Sequence, residues 1–178
     1  MNSNSKTNPE TIRNLFQMYC ISSNMVSASV LMGPEITQDE IKTYGVSISP
    51  KEIPLMMLYK SGMIIKTKLL ITDQNIYYKC LKDSFWTGLF GTLTGVNEDK
   101  ISWNKIPSLE IGRHDQCFGT AYVGHQLKIN GKVLGLVRMG SGICLDEDAI
   151  KILNGFFDFL FKSGILSDAP NLELYYKL

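Results

Sequence analysis

Two apolar runs rich in β-forming residues are divided by a polar, turn-forming group in the stretch Leu69-Leu70-Ile71-Thr72-Asp73-Gln74-Asn75-Ile76-Tyr77-Tyr78-Lys79, which predicts a β-hairpin. In its first arm, residues 64–72, Lys66 and Lys68 alternate with Ile65, Thr67, Leu69 and Ile71, the period of two expected of a strand with one wet face. The second arm covers residues 76–81. Before it, residues 55–59 read as extended, and Pro54 limits any helix started at Ser49 to about one turn. After it come two short strands, Ile101-Ser102-Trp103 and Ser108-Leu109-Glu110-Ile111, with residues 112–119 polar and loop-like. A second hairpin is signalled by Asn130-Gly131, a pair suited to the positive φ angles of a type I′ turn. A two-residue loop there pairs Ile129 with Lys132 and Leu127 with Leu134, putting Leu127, Ile129, Leu134 and Leu136 on one inward face.

Helical periodicity flanks these strands. Asn8-Pro9-Glu10 supplies an N-cap, a proline for the first helical position and an acid for the first turn, followed by an apolar stripe of Ile12, Leu15, Phe16 and Tyr19. Thr37-Gln38-Asp39-Glu40 matches the capping box, and Gly45 can end a short helix carrying Ile41 and Tyr44. Residues 22–34 show no clean period, so residues 1–48 read as a helical N-terminal extension. Asp146-Glu147-Asp148 opens a last helix over about residues 146–163, with Ile150, Leu153, Phe157 and Leu160 in one stripe widened by Ala149, Ile152, Phe156 and Phe159. So wide an apolar face belongs over an open sheet. Residues 49–165 then form the main domain, and residues 166–178 a tail whose end alternates like a strand.

Composition narrows the function classes. The 178 residues are 44% hydrophobic and 20% charged, ordinary for a globular chain. Eighteen basic against seventeen acidic residues leave a formal charge of +1, which supplies no global field for nucleic acid. No nucleic-acid partner is expected, and any anion binding must be local. Cys20, Cys80, Cys117 and Cys144 show no CxxC spacing and read as free thiols. No apolar run reaches the roughly 18 residues of a transmembrane span, nor is there a signal core, so the expected location is cytoplasmic.

Short strands in hairpin succession followed by one amphipathic helix, together with residues 53–59, the Leu70-Ile71-Thr72-Asp73-Gln74-Asn75-Ile76-Tyr77 hairpin and Ile101-Ser102-Trp103, resemble the small bacterial pleckstrin-homology-like family over about residues 50–165. Asn75 stands where that family's pattern usually has glycine, and asparagine also enters the left-handed region. The resemblance implies an α+β fold, a curled antiparallel β-barrel closed by the C-terminal helix, and a binding or protein-interaction module with no catalytic residues and no cofactor.

Two candidate sites follow. Lys60, Lys66, Lys68, Lys79 and Lys82 crowd the first hairpin, where Asp73 is the only acid between residues 60 and 82. With a three-residue turn, Thr72 faces Ile76 and Lys66 faces Lys82, so Lys66, Lys68 and Lys82 share one face that can hold an anionic group such as a lipid headgroup. Lysines so placed also discourage edge pairing. Phe85, Trp86, Leu89 and Phe90, interleaved with glycines, suit either an apolar contact loop for a membrane or protein partner or a plug for the barrel's open end. His114, Asp115 and Cys117, with His125 and Cys144 elsewhere, lack the paired close spacing of structural zinc, and no metal site is assigned. The expectation is thus a non-enzymatic binding or interaction module. Its alternatives are a peripheral membrane module and an enzyme of unrecognised type built on His114, Asp115 or Cys117.

Overall fold

The computed structural model describes residues 7–58, 68–81, 96–116, 122–137 and 147–172. Helix α1 (Pro9–Ser23) starts at Asn8, whose side chain accepts from the Glu10 amide, with Pro9 in the first turn. Strand β1 (Val30–Met32) follows, then α2 (Gln38–Tyr44), whose capping box is reciprocal: Thr37 Oγ1 accepts from the Glu40 amide and Glu40 Oε2 from the Thr37 amide. Gly45, at φ 75°, ends it. Strands β2 (Pro54–Leu58), β3 (Lys68–Thr72), β4 (Asn75–Leu81) and β5 (Val96–Ser102) come next. Then follow β6 (Leu109–Gln116), β7 (Tyr122–Ile129), β8 (Lys132–Val137) and helix α3 (Glu147–Lys162).

The strands are antiparallel throughout, in the order β1-β2-β3-β4-β8-β7-β6, with β5 paired to the other side of β4. The halves β1–β5 and β6–β8 meet at one pair, Leu81 opposite Leu136. Among the described residues no pairing joins β1 or β5 to β6, so the expected closed barrel is replaced by two antiparallel sheets under a C-terminal helix. Where closure would occur, β6 instead presents an edge that α3 covers. The buried Asn154 amide donates to the Ile111 carbonyl at 2.9 Å and accepts from its amide at 3.0 Å, imitating a neighbouring strand.

Helices α1 and α3 lie together over the inner face. Phe16 meets Phe156 edge to face at 5.5 Å, and Tyr19 Oη donates to the Ile152 carbonyl at 2.7 Å. Ile12, Phe16 and Tyr19 share one buried cluster with Leu69, Ile71, Ile76, Leu127, Ile129 and the α3 stripe, including Leu153. The segment expected to be a helical extension therefore also holds a sheet strand, β1, and its first helix packs into the core of the main domain. Residues 112–116, expected as loop, continue β6 as a strand paired with β7.

The turn of the first hairpin is the most heavily tied point of the sheet. Ile71 stands opposite Ile76 and Lys68 opposite Lys79, so the loop is Asp73-Gln74 and the pairing differs by one position from the three-residue expectation. Asn75 is the first residue of β4, and its φ is not positive. The turn is held by side chains: Thr72 Oγ1 accepts from the Gln74 amide at 3.2 Å and the Asn75 amide at 2.9 Å, a local bond typical of hydroxyl residues. Asp73, only 1% exposed, accepts from the Ile53 amide at 2.9 Å and lies 3.6 Å from Arg13 Nε of α1. Trp103, in a 3-10 turn where a strand was expected, donates from Nε1 to the Thr72 carbonyl. At the second hairpin Asn130 and Gly131 take φ 58° and 70°, and Ile129 pairs with Lys132 as expected. A bulge then shifts Leu127 from Leu134 onto Gly135.

Two outcomes follow. An alanine Cβ at Gly155 would lie 2.8 Å from Tyr19 Oη. Although alanine gains about 1 kcal/mol over glycine inside a helix, Gly155→Ala is expected to lower the thermal midpoint, and adding Tyr19→Phe to recover part of the loss. Burial raises the Asp73 pKa, against the opposing pull of the Ile53 amide and Arg13. The folded state thus holds this proton more tightly than the unfolded chain, and the contribution to stability falls as pH rises through the window just above the usual carboxylate range. Asp73→Asn removes that component, so the stability of the parent minus that of the variant should decline across the window in denaturant titrations.

Candidate functional site: a lysine-lined cleft on the outer sheet face

Directly opposed residues of an antiparallel pair project to the same side. The register therefore places Lys68, Lys79 and Glu98 in one row across β3, β4 and β5, with Leu70, Tyr77 and Lys100 in the next. This is the outer face. Helix α2 covers its far end through a second, smaller cluster of Ile36, Ile41, Tyr44, Met57, Leu70 and Tyr77. The face that alternation marked as wet is dry beneath α2, while Lys68 and Lys79 at its other end are partly exposed.

There, Tyr44, Gly45, Val46 and Ser47 at the end of α2 and Lys68, Tyr77, Lys79, Glu98, Asp99 and Lys100 from the strands border a cavity of about 270 Å³. The Lys68 ammonium donates to the Tyr44 carbonyl and sits 4.9 Å from the centre of the Tyr44 ring. It thereby satisfies one of the carbonyls left open at a helix C-terminus. Burial lowers its pKa, repulsion from Lys79 adds to the fall, and Glu98 opposes both. Lys79 Nζ bonds Glu98 Oε2 at 2.9 Å. No carboxylate among the described residues lies within ion-pair distance of Lys68. Lys100 stands 5.8 Å from the centre of the Tyr77 ring.

The floor is polar but closed. Tyr77 Oη donates to Glu52 at 2.9 and 3.0 Å, and Thr72 Oγ1 donates to Glu52 Oε2 at 2.9 Å. Burial, then the Glu52 hydrogen bond, holds the Tyr77 phenol protonated. Tyr44 differs: it is 6% exposed, burial pushes its pKa well up, and among the described residues its Oη has no hydrogen-bond partner. It is a donor with no acceptor among the described residues.

Of the lysines expected to share a face, Lys68 is in the cleft, while Lys66 and Lys82 lie outside the described residues. So do Phe85, Trp86, Leu89 and Phe90. The register of the described residues puts Lys79 opposite Lys68, one position from the three-residue expectation. Lys100, Glu98 and Tyr44 carried no sequence signal of their own; counting from a two-residue turn would have found Lys79. His114 and Asp115 are positions of β6, and Cys117 and Cys144 lie outside the described residues. No group of three or more potential metal ligands occurs among the described residues. Cys80 is fully buried, and burial pushes its thiol up to about 12, too high for a thiolate nucleophile near neutrality. No described helix is long and apolar enough to cross a membrane.

No protein-family model matches the chain, and no curated protein does. Among solved structures, the hSac2 domain from human phosphoinositide phosphatase Sac2 is similar at 14% identity and a TM-score of 0.37, over 76% of this chain and 88% of that one. A likeness at this level assigns neither fold nor function.

An unpartnered buried hydroxyl costs about 1–3 kcal/mol. Tyr44→Phe removes the group and keeps the ring under Lys68, so it should raise stability; an increase of about 1 kcal/mol corresponds to roughly 2–4 °C in the thermal midpoint of a chain this long. A lower midpoint would mean that Oη is bonded after all.

Proposed function

We propose that the protein is a non-enzymatic binding module, cytoplasmic in location, whose ligand places an oxyanion in the cleft against Lys68 and Lys79. One observation carries the reading: two lysines stand directly opposite each other on neighbouring strands, and among the described residues only Lys79 has a carboxylate, Glu98, within ion-pair distance. Like charges so placed are destabilising, and the Lys68 pKa, lowered first by burial, is lowered further by Lys79. An anion supplied from outside relieves that repulsion. The cavity of about 270 Å³ falls at the small end of ligand pockets and suits a compact group. The succession of hairpin strands ending in an amphipathic helix supports keeping the pleckstrin-homology-like relation within this proposal.

The test is an NMR titration with inorganic phosphate at low salt. Saturable shifts are expected at the amides of Gly45, Lys68, Lys79 and Lys100, weakening steeply as salt rises toward about 0.5 M, where screening acts within a few ångströms. Lys68→Gln should cost about tenfold in affinity, the loss of one charged hydrogen bond. A parallel arm with phosphatidylserine-containing vesicles distinguishes a lipid headgroup from a free phosphate as the source. Binding unaffected by Lys68→Gln, or shifts confined to other surfaces, would overturn the proposal.

A further inference from the structure

Glu98 occupies an unusual position among the charges of the cleft. Its carboxylate bonds Lys79 at 2.9 Å and pulls on Lys68 from the same row, and its field also reaches the buried Tyr44 phenol. Glu98 on β5 thus contacts Lys79 of β4 in the row that ends in Lys68 of β3 and borders the same cavity as Tyr44. Its side chain is 52% exposed, whereas that of Lys79 is 31% exposed. A partly sheltered cation is therefore neutralised by an acid that is itself half exposed. That is the arrangement expected of an internal stand-in for a ligand rather than of a structural ion pair, which gains little at such exposure.

Resting on the reading just given, we infer that Glu98 is a built-in competitor for the cleft: its carboxylate holds the place of the ligand's oxyanion at Lys79 and is displaced when the oxyanion binds. Glu98 then sets selectivity. A singly charged group gains too little to displace it, whereas a doubly charged oxyanion such as a phosphate monoester bridges Lys68 and Lys79 and repels Glu98 outward. Binding exchanges one ion pair for two. No bond is made or broken, and the displaced carboxylate is hydrated where it swings out.

The experiment is a double-mutant cycle read by calorimetric titration with inorganic phosphate, on the full chain. Glu98→Gln frees Lys79 and is expected to tighten phosphate about tenfold. Lys79→Gln is expected to cost little in the parent, where Glu98 already engages that lysine, and about tenfold more in the Glu98→Gln background. This coupling is one that a purely structural Glu98 would not produce. Thermal unfolding of each variant checks that it is folded, and Glu98→Ala serves as a second route to the free lysine. If the parent binds phosphate and neither Glu98 variant binds it more tightly, Glu98 is not a competitor and the inference falls while the binding reading stands. If parent and variants alike fail to take up phosphate, the binding reading falls as well.

Discussion

The buried carboxylate of Asp73 fixes the point from which the sheet is measured. It accepts from the Ile53 amide just before β2 and faces Arg13 of α1, while its own amide donates to the Ile53 carbonyl at 3.0 Å. The neighbouring Thr72 carbonyl takes the Trp103 indole, and the Gln74 carbonyl takes the Trp103 amide. Segments before β2, from α1 and after β5 therefore converge on a two-residue turn. A carboxyl removed from water is costly unless it is bonded, so this turn resists any change that would unpair it. Because side chains alternate, a slip by one residue would send every side chain of β3 to the opposite face. The turn thereby decides that Leu69 and Ile71 enter the main core, and that Lys68 faces outward opposite Lys79.

Both faces of the sheet around β3 are then used. The inner face carries α1 and α3, and the outer face carries α2 on its own cluster. Lys68 stands at the boundary of that second cluster, where its ammonium closes the C-terminal end of α2. One lysine thus serves the packing of α2 and the charge of the cleft, beside a Tyr44 hydroxyl that has no hydrogen-bond partner among the described residues.

Local chemistry was readable in the chain wherever one short segment determines its own conformation. Asn8-Pro9-Glu10, the Thr37 to Glu40 capping box, the Asn130-Gly131 turn and the α3 stripe all behave as their residue types dictate. What escaped depended on partners distant in sequence. Strand β1 has three residues and exists because β2 offers an edge. Arg113 to Gln116 are polar yet extended because β7 pairs with them. Lys68 looked solvent-facing because α2 lies 24 residues away and no local period announces it. The register expected at this turn was off by a single position, since Asn75 suggested a left-handed turn residue whereas Thr72 and Asp73 close the turn through side-chain bonds. Closure of the barrel failed for a similar reason: Asn154 satisfies the edge of β6 that a further strand would otherwise have taken.

The central claim is that Lys68 is a strained cation, crowded by Lys79 and with no acid of its own among the described residues, and that an external oxyanion completes it. The direct measurement is the titration of the Lys68 ammonium by side-chain NMR, with and without saturating inorganic phosphate. The account predicts a pKa below the ordinary lysine range in the free protein, as burial and Lys79 dictate, and a rise toward that range when phosphate is bound, because a nearby anion favours the charged form. An ordinary pKa in the free protein, or a lowered one that phosphate leaves unmoved, would contradict it.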